Sequence, residues 1–144
     1  MNSAQDESQD GREGGRDRRP NSSATTGDSL RARAQGSRSV QLAEALAALD
    51  PDLLAWADGF IFGEVWAGEE LAFEDRMLVA IVALATGGHL VQLRNYLHGA
   101  LQAGIDPNRI HEALKMLVVY AGFPTAIAGM AVFQEVRAKY DPAP

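Results

Sequence analysis

From position 40 onward, apolar residues recur three and four places apart, the spacing of one helical face. Ala and Leu, both strong helix formers, dominate this stretch. No run of alternating β-branched residues bounded by turns interrupts it, so no strand is expected. Ser39 is placed to cap a first helix over about 40–49, with Val40, Leu42, Ala43, Leu46 and Leu49 as its apolar stripe. Asp50-Pro51 restarts the chain with a carboxylate N-cap, then a proline where a missing N–H is harmless. The second helix should run to about Trp66 and offer Leu54, Trp56, Phe60, Ile61 and Val65 for burial. A third begins near Phe73, with Glu74 and Asp75 in the first turn, where the helix dipole favours them. It continues over 77–85, apolar on all sides and therefore expected to be deeply buried. Gly87-Gly88 breaks it. A fourth helix over about 89–103 stops at Gly104, and Asp106-Pro107 opens a fifth that reaches about 121. After a turn at Gly122-Phe123-Pro124, a sixth runs to about 139.

The segment 116–133 carries no charge, which raises the question of a membrane span. Its interruption at Gly122-Phe123-Pro124 argues for two ordinary helices instead. Ala126, Ala128, Gly129 and Ala131 permit close helix approach, and the apolar surface exceeds what one small core can hide. The expectation is an all-α bundle of about six helices that forms a homo-oligomer.

Composition divides the chain. Residues 1–39 hold 6 of the 67 hydrophobic residues and residues 40–144 hold 61. The first segment is therefore expected to be a disordered Arg/Ser/Gly-rich tail, and 40–144 a single domain. The tail has seven arginines against six acids, the remainder six basic residues against thirteen acidic ones. An acidic body does not suit nucleic acid, whose phosphates need a basic face. With no cysteine in 144 residues, disulfide scaffolds, thiolate metal sites and thiol redox chemistry are excluded. No signal peptide is evident after Met1, and a cytoplasmic location is expected. The three histidines have no ligand spacing, so no metal is expected. There is no phosphate loop, and the last serine is Ser39, so the helical part holds no Ser-His-Asp triad.

Several short motifs follow one another along the helical part. They are Phe62-Gly63-Glu64-Val65-Trp66, Glu74-Asp75-Arg76, Gly99-Ala100-Leu101 with Gly104, Glu112-Ala113-Leu114, and Tyr120-Ala121-Gly122-Phe123-Pro124. In this order and at these spacings the chain resembles the carboxymuconolactone decarboxylase family, the all-helical group that also includes AhpD-type alkylhydroperoxidases. The resemblance covers about residues 45–138 and points to the decarboxylase branch. It implies a bundle assembled as trimers or hexamers, with active sites near subunit contacts. It also implies cofactor-free acid–base chemistry on a small carboxylated or lactone-type metabolite. A biosynthetic lyase is one version of that reading. The alternative is a non-catalytic binding or assembly member of the same family, with no nucleic acid or membrane as partner.

The family's functional residues transfer poorly. Where the peroxidase branch keeps two cysteines and a histidine, this chain has His89, Gln92 and Tyr96, and Met77 stands where many members keep a glutamate. Thiol peroxidase activity is thereby excluded. His89, Gln92 and Tyr96, at i, i+3 and i+7, nonetheless share one helix face. His89 is a candidate proton carrier, since imidazole titrates near neutrality. Tyr96 is a candidate donor to a developing oxyanion, and Arg76 a candidate carboxylate anchor. The competing reading has His89 and Gln92 satisfying a helix start and Arg76 pairing with an acid. Glu64, Trp66, Gln92, Tyr120 and His98 are further candidates for substrate contact. His98 lies half a turn from Tyr96, and His111 is expected to be solvated.

Overall fold

A computed structural model describes residues 22–140, and every regular element in that range is helical. The expectation of a disordered tail is corrected from residue 22 onward. α1 (Ser22–Gln35) is a helix, followed by a 3₁₀ turn (Gly36–Arg38). Counting apolar residues missed it because its packing face is built from Gly27, Leu30, Arg31 and Ala34. These stand at i, i+3, i+4 and i+7, and only two of them are apolar by type. Arg31 and Ala34 are buried, at 4% and 0% exposure. The disorder expected for residues 1–21 lies outside the described residues.

The remaining helices start and stop close to the expected places. α2 spans Ser39–Leu49 and α3 Pro51–Trp56. Asp50 caps α3 by accepting from the Asp52 N–H at 2.9 Å. α4 is Phe73–Thr86, α5 Leu90–Gln102, α6 Pro107–Tyr120 and α7 Phe123–Tyr140. Asp106 caps α6 in the same way, through the Asn108 N–H at 2.8 Å. The expected second helix is not uniform: after Trp56 it widens into a π-helix (Ala57–Val65), with Trp66 N donating to Ile61 O at 2.9 Å.

α5 is the central helix, packed against α1, α4 and α7. The core gathers Met77 and Ile81 of α4, Leu93 and Leu97 of α5, Ile110 and Leu114 of α6, and Phe133 of α7. The expectation that α4 is buried on every side is corrected: Val79 remains 57% exposed within the single chain. The uncharged run is divided between α6 and α7 at Gly122 (φ 95°), and among the described residues no helix is long and apolar enough to cross a membrane.

α1 is fixed to the bundle by close approach and by charge. A Cβ on Gly27 would lie 1.7 Å from the Asp58 carbonyl oxygen of the π-helix, so only glycine lets the two backbones meet. Arg31 donates to Asp58 Oδ1 and to Asp28 Oδ1, both at 2.6 Å, and to the Ser39 carbonyl at 2.8 Å. A buried guanidinium needs this full set of acceptors.

Candidate functional site

The π-helix, α1, α2 and α5 enclose a pocket of about 340 Å³. α5 contributes Val91, Gln92, Asn95 and Tyr96, the face opposite its core residues. α2 faces them with Leu42, Leu46 and Leu49, and the π-helix adds Ile61 and Phe62. Gln35, the last residue of α1, closes the wall. Among the described residues, no charged side chain lines this space. π-helical turns recur at functional sites because they displace side chains from the regular helical face.

The polar groups here are neutral and short of partners. Gln35 is 8% exposed, and its Oε1 is a buried acceptor without a donor among the described residues. Such an atom normally finds a partner in a folded protein. Burial pushes the Tyr96 hydroxyl, a protonated donor at neutral pH in any case, up to about 12. It makes no hydrogen bond among the described residues. Behind it, the Trp66 ring stands 6.0 Å from the Tyr96 ring, within a row that also includes Phe62 and Phe73. Such tilted ring pairs hold an aromatic side chain in place. Asn95 Oδ1 accepts from Arg38 at 3.1 Å.

The sequence-predicted residues divide. Gln92 and Tyr96 meet in the pocket, and Trp66 supports Tyr96. His89 sits at the N-cap of α5, exposed, with its ring over Gly87, and is not part of the pocket wall. Seven residues of helix put its backbone about 10 Å from that of Tyr96. Arg76 is committed elsewhere: its Nε, Nη1 and Nη2 donate to the carbonyls of Leu71, Val65 and Gly68 at 3.0, 2.9 and 2.7 Å. It organises the loop after the π-helix, and no acid partner stands beside it among the described residues. Glu64 is exposed on the π-helix. Tyr120, 78% exposed, lies along a groove between α4 and α6. His98 faces the opposite side of α5, with Nε2 3.1 Å from Ser37 Oγ. Sequence reasoning missed Gln35 and Asn95. Asn95 shares the helix face of Gln92 and was within reach of periodicity, whereas Gln35 was hidden in the presumed tail.

A family model described as "Carboxymuconolactone decarboxylase family" matches residues 51–135, more than half of the chain. The chain belongs to the carboxymuconolactone decarboxylase family. A 4-carboxymuconolactone decarboxylase of Acinetobacter baylyi is 32% identical over 77 residues. That match covers 54% of this chain and 58% of the relative, so the chain spans little more than half the length of the curated relative it matches. In carboxymuconolactone decarboxylase terms the pocket is composite. Its π-helix and α5 walls lie within the matched segment, while Gln35 and the α2 leucines precede it.

Proposed function

We propose that the protein is a cofactor-independent lyase of the carboxymuconolactone decarboxylase kind, acting on a small lactone-type or carboxylated metabolite in the α2–α5 pocket. The observation that carries the reading is the unpartnered, neutral Tyr96 hydroxyl, buried beside the amides of Gln92 and Asn95. Loss of carbon dioxide from a carboxylate placed β to a carbonyl, or in the vinylogous position, leaves the bond's electron pair delocalised onto that carbonyl as an enolate. A neutral phenol aimed at that oxygen stabilises the charge as it forms. The carbon is then protonated from solvent, and the phenol returns to its resting state. The uncharged lining favours the lactone ring, with any free carboxylate at the open side, since an anion without a partner is costly to bury.

Decarboxylation of 4-carboxymuconolactone and of neutral-ring analogues, followed by carbon dioxide release, tests this. Tyr96→Phe is expected to lower kcat about a hundredfold with KM little changed, as for loss of an oxyanion donor. His89→Ala should leave turnover within about twofold, since such surface changes away from the site are mild. A large loss in His89→Ala would return the proton-carrying role to that residue and defeat the present assignment.

Among the described residues, the pocket wall contains no His or carboxylate, which favours a second reading, a binding member without turnover. Saturable lactone binding with no product would establish that alternative. Either reading includes self-association, supported by the apolar residues left exposed on α4 and α6.

A further inference from the structure

A separate cavity of about 280 Å³ lies on the other side of α5. Arg38 of the 3₁₀ turn, Arg94 of α5 and Lys139 of α7 converge on it, beside His98, Gln102 and Tyr140. This gathering occurs in an acidic body with thirteen acids against six basic residues from position 40 on. Most other cations are engaged. Arg76 binds loop carbonyls, Arg109 pairs with Glu74 and Asp75, and Lys115 lies 3.5 Å from Glu112. Arg94 pairs with Glu135, which lies outside the cavity lining, at 2.7 Å, but Arg38 donates to the neutral Asn95 amide. Lys139 has no carboxylate partner among the described residues. Among the described residues, three positive charges less one carboxylate leave a net +2, matched to a dianion.

The turn that presents Arg38 is held rigidly. Gln102 Oε1 accepts from the Ser37 N–H at 2.7 Å, and Gln102 Nε2 donates to Ser37 Oγ at 3.2 Å. Gly36 has φ 61°, and a Cβ there would sit 1.9 Å from Gln102 Oε1, so both conformation and space require glycine. Burial, then the charge of Arg38, lowers the His98 pKa. The imidazole faces Arg38 on the turn, Arg94 and Gln102 on its own helix, and Lys139 and Tyr140 on α7, with Glu135 on Arg94.

We propose that this cavity binds a small dianionic oxyanion, a phosphate or a dicarboxylate, between Arg38, Arg94 and Lys139. Rigid fork and point-charge donors suit such oxygens. Because Arg38 also holds Asn95, a wall residue of the main pocket, an anion that draws Arg38 changes the donors offered on the other side of α5. The binding itself does not rest on the chemistry assigned to that pocket.

Inorganic phosphate and succinate are titrated in separate arms into the full chain, with calorimetry and His98 ring resonances as readouts. Saturable one-to-one binding is expected, weakened about tenfold in Lys139→Gln, the loss of one charge-assisted contact. The His98 pKa should rise on binding, because an anion favours the imidazolium. The tighter of the two ions identifies the headgroup. Lys139 is exposed on the last turn of α7, so its variant keeps the fold, and Arg38→Gln provides a second. Absence of saturation with either ion up to about 50 mM, where nonspecific screening already dominates, overturns the site. Unchanged affinity in both variants does so as well.

Discussion

Tyr96 and Arg31 show how one side chain departs from what its type suggests. A phenol whose pKa is raised to about 12 keeps its proton in the folded chain while the unfolded chain, at about 10, has lost it. Its contribution to stability is complete below pH 10 and declines as pH rises from 10 through 12. Spectrophotometric titration should therefore show one of the three tyrosines ionising late, and Tyr96→Phe should remove that late step. Arg31 is the reverse case, a charged side chain buried among acceptors. Its removal leaves Asp58, only 19% exposed in its side chain, without its cation. Arg31→Ala is expected to lose about 2–3 kcal/mol, as when one partner of a largely buried pair is deleted. That corresponds to a fall in Tm of roughly 10 °C for a domain of this size. A melting temperature unchanged in Arg31→Ala would show that the pair is as weak as an exposed one.

At the level of elements, the docking of α1 on the π-helix decides whether the pocket has its Gln35 wall. Gly27→Ala drives a methyl into the Asp58 carbonyl, so α1 should lift away and lose amide-exchange protection over 22–35, in keeping with a sub-global opening. Gly59→Ala, on the same π-helix with nothing within 4 Å of the added methyl, is the control and should leave protection intact. These two elements also mark where the sequence was readable and where it was not. α3, α6 and their Asp-Pro caps were legible because that punctuation acts locally on the backbone, and α2 was legible in its extent but not in its cap: Ser39 is its first helical residue, and Arg38 at the N-cap makes no side-chain cap bond. The π-helix was not, because the extra residue per turn is imposed by packing against α1, and no residue in Ala57–Val65 forbids an ordinary helix. α1 escaped because glycine and a buried arginine do the packing that apolar residues usually do. The Gln92–Tyr96 face was legible from periodicity alone. The separation of Arg76 from it was not, since only the folded loop shows which carbonyls take its three nitrogens.

For the whole molecule, the decisive quantity is apolar surface that one chain cannot cover. Val79, Met116 and Tyr120 are 57%, 53% and 78% exposed along the α4–α6 groove, and Val119, 75% exposed, lines a neighbouring cleft on α6 that shares Met116. A second set, Leu49, Trp56 and Phe60, is 78%, 61% and 58% exposed on α2, α3 and the π-helix, next to the pocket. Isolated exposed apolar residues are ordinary, but contiguous groups of large ones usually mark contacts. In the proposed assembly, two such groups on different elements would make two kinds of contact, as when closed rings pair into larger assemblies. If only one group mattered, a single charge placed on it would yield the 15.4 kDa monomer. With two, Val119→Asp and Trp56→Asp should each give an intermediate assembly by light scattering, and only the double variant should reach the monomer. Helix content should persist in all three, because neither position belongs to the buried core of the chain. A wild-type chain that already scatters as a monomer at micromolar concentration would leave both groups without a partner copy and refute the assembly.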